Sequence, residues 1–416
     1  MNSIYNKITN HNKKSSIPFH TPGHIGRAEF LRDIDYRFDK TELPNLDSLY
    51  ECNSAIRETE RKIERLYNAK RSLISTGGCT LAIQAMLKLA VPIGGTVIVS
   101  RNCHISFINT CALLDITPIF FHTEELINNI TECDAVYITS PDYFGRIADI
   151  KNISKICKQK SIPLLVDNAH GSHLIFFDKH PLTLGASMTA CSAHKTLPVF
   201  TGSAFLNIAD ERYINEAKQA MALFGSTSPS YMTMASIDKA MDWFLTAKSK
   251  YQDTAKIINE LKNDLSKKGY TFTIGNTDLM RITLDMGNNG HENAKIMLEN
   301  GIMYEHADER YIILLATPFH TDSDFEILKN AILKLKPGNI KKVLNQEIPK
   351  QICTPREALI AKKEIIAIKN SINKTAGETI SKCPPGIPIT VAGEKISEET
   401  IKNLVKIGKE TIVVIK

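Results

Sequence analysis

The stretch Ser72-Leu73-Ile74-Ser75-Thr76-Gly77-Gly78-Cys79-Thr80-Leu81 joins a short apolar run, a glycine turn and the start of a helix. Apolar residues then recur at helical spacing as far as Leu89, and Pro92 and Gly94-Gly95 end the helix. The next apolar run, Thr96–Val99, predicts a buried strand. Strands that alternate with helices indicate a parallel sheet covered on both faces.

The same alternation extends to residue 208. Helical spacing separates most of the predicted strands, for example over Asp149–Gln159. The predicted strands are Ser72–Ile74, Thr96–Val99, Thr117–Phe121, Ala135–Thr139, Pro163–Asp167, Ser187–Cys191 and Ser203–Ile208. We therefore predict an α/β large domain of three layers (α/β/α) around a mostly parallel seven-stranded sheet.

The pattern changes after residue 230. Helical stretches from Tyr231 to Lys268 precede strand candidates at Tyr270–Ile274, Asp278–Leu284 and Tyr311–Leu315, which predict a smaller α+β domain. A turn at Lys336-Pro337-Gly338 and a helix near Thr354–Lys369 introduce a carboxy-terminal α+β segment. We predict an amino-terminal arm at 1–30, the large domain at 31–245, the small domain at 246–337 and the carboxy-terminal domain at 338–416.

The positive charge is concentrated near the carboxy terminus. The chain has 416 residues and a formal net charge of +6. Residues 340–416 hold 14 basic and 8 acidic residues, so the remainder is neutral. A neutral body argues against a protein that coats nucleic acid, which needs a broad cationic face. A hydrophobic content of 43% excludes a disordered chain.

The sequence also indicates the compartment. Residues 1–14 have no apolar core typical of a signal peptide, and no uninterrupted apolar run approaches ~18 residues. The nine cysteines show neither a CxxC pair nor zinc-like spacing, so free thiols are expected. We predict a cytoplasmic protein with no metal site and no contact with nucleic acid or membrane.

Two motifs at strand ends carry groups suited to an aldehyde cofactor. Lys195, in Ser192-Ala193-His194-Lys195-Thr196, follows a predicted strand and is suited to a Schiff base. Asp167 ends the run Pro163–Asp167, at the sheet edge where α/β sites assemble. A protonated pyridine nitrogen would be a suitable partner for this carboxylate. A lysine in such a motif, taken alone, is more often a solvated surface residue than a Schiff-base lysine. The aspartate, taken alone, could equally be an N-cap or a member of an ion pair.

Two further motifs complete a set. Gly77-Gly78-Cys79 opens a helix, and helix N-termini bind phosphate through free amides. His104 follows the strand Thr96–Ser100 and could stack on a planar ring. A plain turn and a capping histidine are the ordinary alternatives. Together, a phosphate cup, a stacking histidine, an aspartate and a lysine are what pyridoxal phosphate (PLP) needs, in the order of a fold-type I enzyme.

The sequence resembles the Orn/Lys/Arg decarboxylase family, a fold-type I group, over about residues 17–245. The resemblance is weaker after residue 245. The matching stretches are Phe19–His24, Thr41–Leu49, Asp167–His173, Ser192–Pro198, Ser226–Tyr231 and Pro384–Pro388 followed by Gly393-Glu394. The resemblance implies PLP-dependent α-decarboxylation of arginine, lysine or ornithine, in amino-acid metabolism and polyamine biosynthesis. It also implies a short form without an amino-terminal wing domain, assembled as a homodimer or a dimer of dimers with shared active sites.

The resemblance implies a role for each site residue. Lys195 would be the Schiff-base lysine, Asp167 would lie under the pyridine nitrogen, and His104 would stack on the ring. His170 would lie near the phenolic oxygen or the substrate. The implied cofactor-binding residues also include Gly77, Gly78, Cys79, Ser192, His194 and, from the partner subunit, Ser228. One departure from the family pattern, Cys79 in place of a serine, lies in the cofactor site. The others affect the substrate more than the cofactor and are Ile25, Glu51-Cys52-Asn53-Ser54, Ile105, Asp142, Asn168 and Gly202.

Other functions stay open at this stage. An aminotransferase usually anchors the substrate carboxylate with an arginine of its small domain, and Arg281 and Arg310 are candidates. An aldolase-like reaction and a non-catalytic cofactor-binding protein are further alternatives. If the substrate is a basic amino acid, its side chain needs an acidic partner. The candidates are Glu42, Asp47, Glu305 and Glu394.

Overall fold

The computed structural model of this chain describes residues 12–13, 16–43, 46–51, 53–273, 275–338 and 347–416. Four sequence features singled out above lie at least partly outside this part: most of the predicted arm before residue 16, Pro44-Asn45 in the stretch Thr41–Leu49, Cys52, and Ile274 at the end of a predicted strand.

Seven strands form the central sheet, as the sequence predicts. After β1 (Ile17–Phe19), these are β2 (Arg71–Ser75), β3 (Thr96–Ser100), β4 (Thr117–Phe121), β5 (Ala135–Thr139), β6 (Leu164–Asp167), β7 (Met188–Cys191) and β8 (Ala204–Ile208). Their spatial order is β2-β8-β7-β6-β5-β3-β4. Only the pairs made by β8 are antiparallel. The carboxyl ends of the parallel strands therefore share one edge, where α/β sites form.

Alternate residues of these strands enter two separate apolar cores. Val97, Val99 and Tyr137 belong to one core, whereas Ile98 and Val136 belong to the other. Because side chains alternate along a strand, both faces of the sheet must be covered by helices. Helices Gly78–Ala90, Ile105–Leu114 and Ala217–Phe224 cover the first face, and Ile150–Gln159 covers the second.

The small domain is an antiparallel sheet with helices. Its strands are β9 (Thr271–Phe272), β10 (Arg281–Asp285), β11 (Ile302–Tyr304), β12 (His306–Ala307) and β13 (Tyr311–Leu315). Four of them pair in the order β12-β13-β10-β9, while β11 pairs in parallel with β1 of the arm. Phe19 of the arm is fully buried and stacks on His320, with ring centroids 4.1 Å apart. The arm thus forms part of the small domain's packing.

The remaining helices connect or cover these sheets. They are Ala55–Tyr67, Thr123–Leu126, Ala193–Thr196, Tyr231–Thr246, Lys248–Ser266, Gly290–Glu299, Asp322–Ile332, Pro355–Ile360 and Glu398–Lys406. Within the described ranges, none of the helices combines the length and apolar character needed to cross a membrane.

The carboxy-terminal segment corrects one prediction. The helix expected over Thr354–Lys369 ends at Ile360, and the chain continues as β14 (Lys363–Ala367). Ala361 leaves the helical conformation with ψ 155°, and the β-branched pair Ile365-Ile366 then joins an antiparallel ladder. The later strands are β15 (Ile380–Ser381), β16 (Pro388–Thr390) and β17 (Thr411–Ile415).

A buried ion pair attaches this segment to the large domain. Arg101, just after β3, lies 3.2 Å from the carboxylate of Glu394, which is fully buried. The same guanidinium donates to the Pro388 carbonyl at 3.1 Å. Burial raises the pKa of Glu394, and the charge of Arg101 opposes that rise. Arg101 therefore attaches the start of β16 and the turn that follows this strand to the carboxyl end of β3.

We expect Arg101→Ala to lower the free energy of unfolding by about 3 kcal/mol, because it leaves a buried carboxylate without its cation. Without Arg101 the pKa of Glu394 in the folded state rises further above its value in the unfolded state. Between these two pKa values, the carboxyl group is protonated in the folded state and ionised in the unfolded state. Stability of the variant must then fall as pH rises. Chemical denaturation at pH 5 and pH 8 measures both effects.

The matched control is Arg356→Ala. Arg356 crosses the same boundary but donates to the Ala112 and Leu113 carbonyls at the end of a helix. We expect a loss of about 1 kcal/mol, typical of a single hydrogen bond, with no added pH dependence. Equal losses in the two variants would show that the Arg101–Glu394 pair has no special role.

Candidate functional site

A cavity of about 270 Å³ opens at the carboxyl ends of β3, β5, β6 and β7. Eight residues that the sequence predicts for the site line it: Gly78, Cys79, His104, Asp167, His170, Ser192, His194 and Lys195. These residues come from four separate stretches of sequence, and the shared edge of the sheet brings them together.

Lys195 projects into the cavity from the short helix Ala193–Thr196. Its Nζ lies 3.0 Å from Nε2 of His170. Burial lowers the pKa of Lys195, with Cys79 and Asp167 opposing that change. Burial, together with the charges of Lys195 and Arg281, lowers the pKa of His170 well below its usual range. The lysine is therefore biased toward the uncharged amine, which is the nucleophilic form.

Asp167 ends β6 with 1% of its surface exposed. Its Oδ1 accepts a hydrogen bond from the Ala169 amide at 3.0 Å, which fixes the carboxylate at the cavity wall. Cys79 lies across the cavity, and burial together with the charge of Asp167 raises the pKa of its thiol. The cavity thus has a fixed anionic side at Asp167 and a neutral thiol nearby.

The glycine turn forms an open cradle at the start of the helix Gly78–Ala90. Gly78 has φ +68°, a conformation that favours glycine, and no atom lies within 4 Å of the position of a Cβ. Its amide donates to the Gly202 carbonyl at 2.9 Å, which holds the turn. First-turn amides lack acceptors within their helix, so this wall of the cavity is suited to an anion.

His104 occupies the N-cap of the helix Ile105–Leu114. Its Nδ1 accepts from the Ser106 amide at 3.1 Å, and burial lowers its pKa. The proline-rich loop before β16 packs against this ring: a Cβ on Gly386 would lie 2.5 Å from Nε2 of His104. Pro385 and Ile387 of the same loop line the cavity. The carboxy-terminal segment therefore closes one side of the site.

Arg281 is the first residue of β10 and is 2% exposed. It donates to the Tyr143 carbonyl and, at 3.1 Å, lies against Nδ1 of His170. Its Nε is 3.7 Å from Asp278. The other candidate anchor, Arg310, pairs with Asp285 and is remote from the cavity lining. Neither arginine lines the cavity.

Two predicted residues lie outside the lining. Gly77 faces the Leu81 side chain, and a Cβ there would come within 2.9 Å of it. Gly77 borders a separate shallow pocket that also includes Ser228, and Ser228 is exposed. Within one chain the structure does not bring Ser228 to the cavity, and its predicted contribution from a partner subunit stays a prediction.

The four candidate carboxylates differ in surroundings. Glu305 accepts from the Thr21 amide at 2.8 Å, and its charge acts on Lys195. Glu394 is committed to Arg101. Asp47 accepts from the Ser54 hydroxyl and the Ile56 amide near the start of a helix, and Glu42 lies with it beside Tyr231.

Sequence reasoning missed several lining residues. Thr139 ends β5 and Tyr143 follows it, and the hydroxyls of both are buried without a hydrogen-bond partner. The strand-end rule that identifies Asp167 would also have found Thr139. Nothing in the sequence pattern indicates that Pro385 and Ile387 reach the site. Within the same described ranges, no group of three or more His, Cys, Asp or Glu side chains converges as a metal site.

Comparisons with known proteins identify the family of this chain. The family model for the Orn/Lys/Arg decarboxylase major domain matches residues 2–132 and 124–283. An arginine decarboxylase of Bacillus subtilis is 27% identical over an alignment of 454 residues, gaps included. The alignment covers 97% of this chain and 93% of that protein.

Solved structures share the fold. The lysine decarboxylase LdcF of Francisella novicida superposes with a TM-score of 0.75 at 20% identity, covering 99% of this chain and 80% of that chain. A structure of SPT solved with PLP gives a TM-score of 0.61 at 14% identity, covering 76% of this chain and 86% of that chain. These matches confirm the predicted fold-type I architecture. The chain belongs to the Orn/Lys/Arg decarboxylase family.

Proposed function

We propose that this protein is a PLP-dependent decarboxylase that removes the α-carboxylate of a basic amino acid and releases the corresponding amine. The observation that carries the proposal is the meeting of Lys195, His170, Asp167 and His104 in one cavity beside a helix N-terminus. Family membership and the name of the Bacillus subtilis relative support the same reaction.

The cavity's own chemistry fits PLP. The space that a Cβ on residue 78 would occupy is open, because no atom lies within 4 Å of that position. This space at a helix N-terminus is suited to a phosphate group. The hydroxyl of Thr139 has no hydrogen-bond partner, so it is available to a polar ligand. Cys79, Ser192 and His194 would complete the phosphate site, and Asp167 would face the ring nitrogen. When bound, PLP supplies an electron sink for the bonding pair left by carbon dioxide.

The protein's residues then have separate tasks. Lys195 would supply the amine that holds the cofactor. Asp167 would face the ring nitrogen and favour its protonated form, which strengthens the electron sink. His104 would lie against the ring, and the loop at Pro385 would help to exclude water. His104 or Lys195 holds the proton that replaces the carboxylate on the α-carbon.

Transamination is the weaker alternative because an arginine anchor is missing from the cavity lining. Arg281 is held by the Tyr143 carbonyl and Asp278, and it contacts His170. Arg310 is paired with Asp285. A decarboxylase does not need to clamp the substrate carboxylate with an arginine, since that group must leave. The set of Lys195 and Asp167 in turn argues against a non-catalytic protein.

We further propose that Glu305 binds the cationic end of the substrate. Among the four candidate carboxylates, it is the one whose charge acts on both Lys195 and His194. Glu305, like the two arginines, is not itself part of the cavity lining, but its charge acts on Tyr143, which is. This supports Glu305 over Asp47, Glu42 and Glu394, whose described contacts lie elsewhere.

The assembly and location follow as proposals from family membership. We propose a cytoplasmic homodimer or dimer of dimers in which Ser228 of one subunit contributes to the other subunit's site. The exposed position of Ser228, beside the Gly77 turn, is compatible with that role. The eight cysteines that the structure describes form no disulfide, which supports a reducing compartment.

The proposed reaction predicts carbon dioxide release and one amine product from at least one of arginine, lysine and ornithine. Lys195→Ala should lose at least about a thousandfold in kcat, because a covalent catalytic residue is removed. Gas release and amine chromatography over the three substrates measure this outcome. An oxo acid without gas would instead establish transamination.

Glu305→Gln should raise KM for a basic substrate by roughly ten- to a hundredfold, because a hydrogen bond to a charged group contributes about 1.5–3 kcal/mol. The matched control, Glu42→Gln, should change KM by less than about twofold. Steady-state kinetics on the best substrate of the panel test both. A large effect at Glu42 and none at Glu305 would reassign the substrate contact.

A further inference from the structure

A set of buried polar groups that includes Asp278 and Arg281 of the small domain leads to Lys195 through hydrogen bonds and one charge contact. Nε2 of His173 donates to Asp278 at 2.7 Å, and Asp278 lies 3.7 Å from Nε of Arg281. Arg281 then contacts Nδ1 of His170 at 3.1 Å, and Nε2 of His170 contacts Nζ of Lys195 at 3.0 Å. Arg281 and Asp278 have side chains only 1% exposed.

The hydrogens of this set can be assigned from donor and acceptor rules. A guanidinium has five N–H donors and no acceptor, so Nδ1 of His170 must be the acceptor toward Arg281. A histidine whose Nδ1 accepts cannot be the doubly protonated imidazolium. The neutral ring therefore carries its hydrogen on Nε2, the nitrogen that faces Lys195.

The same rules fix the state of Lys195. Because Nε2–H of His170 is a donor, Nζ must accept, and an ammonium group has no lone pair with which to accept. We infer that Arg281 is a positioning residue: by fixing the Nε2–H form of His170, it holds Lys195 as an uncharged amine before the cofactor binds. This inference rests on the proposed function of Lys195.

Burial and charge support the assignment. Burial lowers the pKa of Lys195, and the charge of Arg281 acts in the same direction. Burial alone would raise the pKa of Asp278. His173 and Arg281 stabilise the carboxylate and lower this pKa to about 2. Asp278 thus stays ionised and, with the Tyr143 carbonyl, holds the guanidinium in place.

An uncharged Lys195 has a chemical consequence. Only the free amine has the lone pair that attacks an aldehyde carbon, whose oxygen then leaves as water. Arg281 therefore acts on cofactor capture through His170, and its own charge acts in the same direction. In this role Arg281 contacts a lining residue without itself being part of the cavity lining.

The first test determines the ring form directly in the apoprotein. Nitrogen-15 NMR of histidine-labelled wild-type protein distinguishes Nδ1–H from Nε2–H rings, and the spectrum of His170→Gln assigns the signal among the twelve histidines. We expect Nε2–H for His170 in the wild type. A ring protonated at Nδ1 would overturn the inference, and this result needs no Arg281 variant that folds.

The second test measures the rate at which apoprotein captures PLP as a function of pH, from the visible absorbance and without amino acid. Capture should rise with pH as Lys195 loses its proton. In Arg281→Met the midpoint of the rate–pH curve should lie about one pH unit higher than in the wild type. At pH values below both midpoints, capture should therefore be about tenfold slower in the variant. The charged or titratable groups that also face Lys195 or His170 are Cys79, His104, Asp167, His194 and Glu305.

Arg310→Met is the matched control, because it removes an arginine ion pair from the same small-domain sheet. Its capture midpoint should equal that of the wild type, and circular dichroism checks the fold of both variants. An unshifted midpoint in a folded Arg281→Met would overturn the inference. Absence of decarboxylation in the wild type, with the expected capture profile, would instead count against the proposed reaction alone.

Discussion

The 3.0 Å contact between Lys195 and His170 is the interaction on which the rest of the site depends. Burial removes part of the hydration of this amine, so its charged form is disfavoured. Water that entered the cavity would weaken that effect. Residues of the large-domain sheet edge and of a carboxy-terminal loop line the cavity, and Arg281 of a small-domain strand contacts His170.

These three parts meet at the carboxyl ends of the parallel strands. β3 ends next to Arg101, whose contacts with Glu394 and the Pro388 carbonyl attach the segment that contains the proline-rich loop beside His104. β10 brings Arg281 to the opposite side of His170. The excess of positive charge in the carboxy-terminal segment has no part in the contact with Arg101, since the side chain that this segment contributes there is a buried carboxylate. Local charge, and not net charge, decides how the domains pack.

Much of the fold was predictable because it follows from alternation. Each short apolar run specified one strand, and helical spacing between most of the runs specified the helices that cover the sheet. Asp167, His104 and Lys195 were predictable because they follow such runs directly, where the sheet edge assembles sites. The helix predicted beyond Ile360 was wrong because β-branched residues there pair with β17, a strand nearly fifty residues away in sequence.

The contacts that sequence could not supply are those made across domains. Arg281 was recognised only as a possible carboxylate anchor, since nothing in its surroundings in sequence indicates that it contacts His170. Glu394 was a substrate candidate until its burial against Arg101 was apparent. Pro385 and Ile387 lie more than 180 residues from Lys195 in the chain, and only the folded carboxy-terminal segment brings them to the cavity.

If this cavity replaces an α-carboxylate by a proton, the new hydrogen on that carbon must come from solvent. The isotopic composition of the amine formed in deuterium oxide, read by mass spectrometry and proton NMR, measures this directly. We expect a single non-exchangeable deuterium on the carbon that carried the carboxylate. An amine with no deuterium there, or an oxo acid as the product, would contradict this expectation.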